Sequence, residues 1–209
     1  MTGILVGPQP RAWLLTGFCL ACAERGSGVF ATLADPEDAE WFAHVLEAAW
    51  KAPLGEVGED ELIEILEEFE ARTGAADADD PGSKGFSVVQ SAMLGVNAIS
   101  VYLNPSPARA EMSGQTLQTV LGSFDFKLGG SEVTITPNGE NEEVGRLQKM
   151  ERAAQKSFME TVHSLTGDQE DGRLDGEFLE GLRESCVVVR DEIRKATVTV
   201  ADLFGWGQE

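Results

Sequence analysis

The chain has 209 residues, 42% of them hydrophobic, enough for one substantial core and a length that suits one domain, at most two. Its 36 acidic residues outnumber 16 basic ones, and the formal net charge of -20 repels phosphate backbones, which excludes DNA and RNA as expected direct partners. The same field keeps a protein soluble and speeds the arrival of basic partners.

In chain order, residues 1–10 read as an N-terminal extension. A first helix is expected over residues 11–25, with Leu14, Phe18 and Cys22 spaced by four and Gly26-Ser27-Gly28 ending it. Ala21-Cys22-Ala23 has the small-residue look of a signal-peptidase site, but the first ten positions hold no Lys or Arg. The stretch is therefore read as a buried helix, with secretion as the alternative. A second helix starts at Asp35-Pro36, an N-cap followed by proline at the first helical position, and carries Ala39, Phe42, Leu46 and Trp50 inward. Pro53 and Gly55 close it. A third helix over residues 59–72 separates its faces: Leu62, Ile63, Ile65, Leu66 and Phe69 on one side, Asp60, Glu61, Glu64, Glu67 and Glu68 on the other.

Residues 74–85, rich in Ala, Asp and Gly, read as a loop. The fourth helix spans residues 86–103 with Val89, Met93, Val96 and Tyr102 inward, stopped by Asn104-Pro105-Ser106-Pro107. The fifth spans residues 113–126. Residues 128–140 change character. Glu132-Val133-Thr134-Ile135-Thr136 alternates like a strand, but a lone strand lacks a partner, so an extended loop near 131–136 is favoured. The sixth helix, residues 141–165, carries Val144, Leu147, Ala154, Phe158, Val162 and Leu165. The seventh, residues 171–199, carries Leu174, Phe178, Leu182, Cys186, Val189 and Ile193, and its β-branched end at 197–200 is expected to fray or extend. Residues 201–209 form an apolar tail around Leu203-Phe204-Gly205-Trp206, either docked on the core or exposed. The pattern predicts an all-α, single-domain bundle of six to seven helices. No apolar run approaches the roughly 18–20 residues that span a bilayer, so no membrane partner is expected.

The chemistry is sparse. Three cysteines give no closed disulfide framework, which favours a reducing, cytoplasmic setting. Cys19-x-x-Cys22 lies inside an apolar run, and Cys186 supplies no second ligand pair, so all three read as buried thiols rather than a redox or zinc site. There is no G-x-S-x-G, no phosphate loop and no G-x-G-x-x-G, so no catalytic residue is assigned and no cofactor is implied. Asp77, Asp79 and Asp80 open like a calcium loop, but Pro81 and Val88 stand where ligands belong. Glu160 and His163 form one Glu-x-x-His, the half-motif of di-iron bundles; Glu40, His44 and Glu47 share a face of the second helix and offer a mixed partner set. A single copy favours ordinary surface residues over a metal site.

Several of these stretches resemble the YjaG-like bacterial family, a domain of unknown function. Ala23-Glu24-Arg25 ends the first helix as in that family. Residues 35–50 match its second helix, including Leu46 and the terminal Trp50, and residues 85–103 and 141–165 follow in the expected order. The pattern departs at residues 74–85 and 128–140. The resemblance implies an all-helical fold and brings no site residues.

These readings favour a non-enzymatic protein that works by protein–protein contact. Its sharpest form is an immunity or antitoxin-type protein covering a basic toxin, with Asp60, Glu61, Glu64, Glu67 and Glu68 as the partner-binding face. The alternatives are a metal-binding or enzymatic bundle using Glu160, His163 and His44, and a structural or oligomeric protein joined through the C-terminal tail.

Overall fold

One helix, α1 (Ala12–Leu33), runs through the middle of the molecule and is buried along most of its length. The computed structural model describes residues 12–73, 80–129, 145–165 and 175–207. Around α1 stand α2 (Pro36–Lys51), a 3-10 turn (Ala52–Leu54), α3 (Glu59–Thr73), α4 (Lys84–Leu103), α5 (Pro107–Gly129), α6 (Arg146–Leu165) and α7 (Gly176–Phe204). Among the described residues there is no strand, and the protein is an all-α bundle. The expected strand or loop near 131–136, the extension 1–10, and Val144 and Leu174 lie outside the described residues.

The order of packing explains the burial. α1 packs most heavily on α4 and α7, while α5, α2 and α6 also touch it. Leu20, Leu94, Ile99, Val120 and Phe124 are fully enclosed at this centre, each worth about 1.5–3 kcal/mol over an exposed position. α3 rests on α4 and α2.

Several expectations are corrected. First, α1 does not stop at Gly26-Ser27-Gly28, and Ala23-Glu24-Arg25 does not end it; the helix continues eight residues beyond Arg25, to Leu33. These glycines are close-approach positions. A Cβ on Gly26 would overlap the Leu94 side chain, and one on Gly28 would lie 2.9 Å from the Arg190 carbonyl oxygen. Without side chains, α1 sinks against α4 and α7. Second, α4 is buried on nearly every side, so Val89, Met93 and Tyr102 are only half-buried while Ser87, Ser91, Leu94, Ala98 and Ile99 are inside. Its length and composition suffice to cross a membrane, which also corrects the view that no run approaches that length. Third, Ile63 of α3 is 46% exposed, off the face that Leu62, Ile65 and Phe69 bury.

Helix ends follow local chemistry. Asp35 adopts the extended N-cap backbone with Pro36 at the first position, and Gly55, at φ 74, turns the chain after the 3-10 turn. Leu103 ends α4 as the two prolines predict. But Ser106 Oγ then accepts from Arg109 N, and Pro107 starts α5 six residues earlier than the apolar pattern suggests. The β-branched end of α7 holds helical form to Phe204, because Thr197 and Val200 are buried against the core.

The start of α6 is capped from another helix. Asp125 of α5 accepts from Leu147 N (2.9 Å) and Gln148 N (3.0 Å), satisfying two orphan donors and placing a carboxylate at the positive end of α6. Asp125→Ala is expected to cost about 1–2 kcal/mol. A urea midpoint equal to wild type would show that the cap contributes nothing.

Candidate functional site

The most unusual chemistry of the molecule sits inside α1. Glu24 and Arg25 are 1% and 3% exposed in the middle of the central helix. Neighbouring residues on a helix diverge by about 100°, so the two charges meet different partners. Glu24 turns towards α2 and α7. Its Oε2 accepts from Trp50 Nε1 at 2.8 Å and its Oε1 from Arg190 Nη1 at 2.6 Å, with Arg183 Nε ion-paired at 3.3 Å. Arg183 also donates to Glu47 Oε2 (3.0 Å) and lies over the Trp50 ring at 5.6 Å.

Arg25 turns towards α6. Its Nε and Nη2 donate to the two carboxylate oxygens of Glu151, at 2.7 and 2.6 Å, in a fork that matches guanidinium to carboxylate. Glu151 is itself 0% exposed and accepts a further bond from Gln155 Nε2 at 2.9 Å. Gln155 ties the group to α5 through the Gly114 carbonyl and the Gln118 amide. Burial pulls the Arg25 pKa down, but the Glu151 carboxylate outweighs it and holds the guanidinium above its ordinary value.

The sulfurs border this pair. Arg25 Nη2 lies 3.6 Å from Cys22 Sγ, and Nη1 lies 3.9 Å from Cys186 Sγ. Burial pushes the Cys19 thiol up to about 12 and raises Cys22 and Cys186 against the opposing pull of Arg25. All three are buried and free, so the C-x-x-C is a pair of protonated core thiols. At pH 8 a thiol reagent is expected to label none of the three in the native protein and all three after unfolding; rapid native labelling would contradict the packing. Between pH 9.0 and about 12 the unfolded chain releases a Cys19 proton that the folded chain keeps. Folding stability should therefore fall as pH rises across that window.

α7 stands as a ridge over the two charges, with a recess on each side. One, of about 450 Å³, lies between α7 and α2 with its 3-10 turn; Glu24 is at its floor. The other, of about 560 Å³, lies between α7 and α6, with Arg25 at its floor.

The sequence-predicted residues lie elsewhere. Asp60, Glu61, Glu64, Glu67 and Glu68 are all exposed on α3. Glu68 pairs with Arg72 at 2.8 Å, and Arg72 also reaches Asp38 (2.6 Å) and Glu37 (3.7 Å) on α2 while covering the Trp41 ring. That joins the acidic face of α3 to the acidic start of α2. Glu61 lies 3.9 Å from His44. Glu160 pairs with Lys156 at 3.6 Å, and His163 is exposed on α6. Among the described residues no three His, Cys, Asp or Glu side chains gather closely enough to hold a metal ion, so Glu160, His163, His44, Glu40 and Glu47 are not brought together.

Glu24, Arg25, Glu151, Gln155, Arg183 and Arg190 were not singled out by sequence pattern. One signal was present. Glu151 falls between Leu147 and Phe158 in the register of the buried stripe of α6, where a charge is out of place unless it is paired inside. Glu24-Arg25 likewise interrupts the apolar run from Leu14 to Phe30. Comparison with known proteins finds no matching family model, no similar curated protein and no similar solved structure.

Proposed function

We propose that this is a non-enzymatic protein that works by protein–protein contact, presenting the carboxylates of α3 to a basic partner; an immunity or antitoxin-type role against a basic toxin is its sharpest form. The observation that carries the reading is the state of that face. Asp60, Glu64 and Glu67 are exposed and, among the described residues, make no ion pair. α3 is anchored from behind by Leu62, Ile65 and Phe69. Like charges at this spacing repel by a few tenths of a kcal/mol per pair, a small cost that a cationic surface relieves. A net charge of -20 steers such a partner to the molecule. The buried carboxylate of α1 supports the reading differently: Glu24 is engaged by Trp50, Arg190 and Arg183, as a structural charge is.

Asp60→Lys, Glu64→Lys and Glu67→Lys combined should leave the helical spectrum and melting temperature unchanged. Immobilised wild type should capture Lys- and Arg-rich proteins from the native host, in amounts that fall with salt, and the triple variant should lose them. Equal capture by both proteins, or captured proteins without basic surfaces, would remove the reading.

A second reading rests on the far end of the bundle. Leu203 and Phe204 are 65% and 49% exposed, and Lys127 of α5 sits over the Phe204 and Trp206 rings. Self-association through this end would make the protein a structural component. Sedimentation of Leu203→Ser/Phe204→Ser unchanged from wild type would argue against it.

A further inference from the structure

α6 and α7 both pack on the core but touch each other sparingly. The recess between them, of about 560 Å³, falls in the range of small-molecule sites, roughly 300–1,000 Å³. Its walls are mostly apolar, with Met150, Ala154 and Phe158 from α6 and Phe178, Leu182 and Val189 from α7, while Thr161 and the exposed Glu177 also line it. Its exposed edge is lined by small residues, Ala153 and Ser157 from α6 and Gly181 and Ser185 from α7.

The floor is the chemically distinctive part. Arg25 carries five N–H donors. Nε and Nη2 are committed to Glu151. Among the described residues, Nη1 meets only the Cys186 sulfur, at 3.9 Å. Sulfur is a weak acceptor, and a buried donor without an oxygen partner is costly. The apolar recess therefore ends on a buried donor that an oxygen would satisfy.

We propose that this recess binds a slender, neutral aliphatic molecule whose single oxygen acceptor, an alcohol or carbonyl, bonds Arg25 Nη1 at the floor. Neutrality follows from charge. Glu151 already balances the guanidinium, and the net charge of -20 repels anions. At the floor an ammonium head lacks an acceptor and faces the guanidinium, and the carboxylate in the lining, Glu177, is exposed to solvent on α7. The wall from residue 150 to residue 161 of α6 rises about 16 Å, enough for an alkyl tail to lie along it. A partner helix about 10 Å across would seat on the mouth and leave the floor unsatisfied. This surface lies apart from the α3 face, so the two proposals stand or fall separately.

The test uses the intact protein and the neutral fluorophore N-phenyl-1-naphthylamine, displaced by 1-octanol. Saturable one-to-one displacement is expected, with octylammonium and octanoate at pH 7.5 each at least about tenfold weaker for want of a neutral acceptor. Gly181→Leu fills the recess from its mouth. Among the described residues, and apart from its chain neighbours and the backbone of its own helix, no atom lies within 4 Å of a Cβ built there, so the fold should stand, which circular dichroism checks. That variant should weaken octanol binding by at least about tenfold. Failure of wild type to bind octanol, equal binding of octylammonium or octanoate, or unchanged binding by folded Gly181→Leu would each overturn the proposal.

Discussion

Glu151→Ala should unfold in urea with a loss of about 3–5 kcal/mol, a large part of the roughly 5–15 kcal/mol that holds a domain together. The substitution leaves Arg25, 3% exposed, as an uncompensated charge in the core. It also frees Gln155 Nε2 from its 2.9 Å bond. The guanidinium cannot shed its proton to escape. The converse experiment separates pairing from packing. Arg25→Met combined with Glu151→Leu removes both charges and fills similar volume, and such replacements are often neutral or stabilising. The double variant should therefore recover most of the loss. If it remains as unstable as the single variant, the buried pair is not the source of the cost. If Glu151→Ala is neutral, water reaches Arg25 and the cluster is not sealed as the burial indicates.

Two glycine-to-alanine changes, both within helices, should move stability in opposite directions. In an ordinary helix the change stabilises by about 1 kcal/mol, and Gly181→Ala on α7, with open space around its new Cβ, should do so. Gly28→Ala should do the reverse. Its Cβ would stand 2.9 Å from the Arg190 carbonyl oxygen and 3.2 Å from Arg194 N, backbone atoms that no rotamer change can move. Overpacking of this kind costs about 1–3 kcal/mol, and it would also push Arg190 away from Glu24. The net loss should be about 0–2 kcal/mol after the propensity gain. Equal shifts in melting temperature for the two variants would show that α7 adjusts freely over α1.

The helix positions were largely legible because amphipathic spacing is a local property. Leu62, Ile65 and Phe69 mark the buried face of α3, and Asp35-Pro36 marks where α2 begins. The acidic exterior was legible for the same reason, since charges without apolar neighbours stay in water. Gly26 and Gly28 misled because a glycine that ends a helix and one that lets two helices touch look identical in one dimension. The partner atoms, Leu94 and the Arg190 carbonyl, are 68 and 162 residues away.

What the sequence by itself determined is the bundle and its negative surface: the period of 3.6 and the excess of carboxylates need no distant residue to take effect. What only the tertiary structure decided is the pairing inside. A lone buried Glu24, Arg25 or Glu151 would be prohibitively costly, and each is tolerated only because chain folding brings Arg190 and Arg183 to the first and joins the other two across 126 residues. Long-range charge pairing leaves no periodic trace, because its energy depends on distances that exist only after the helices have packed.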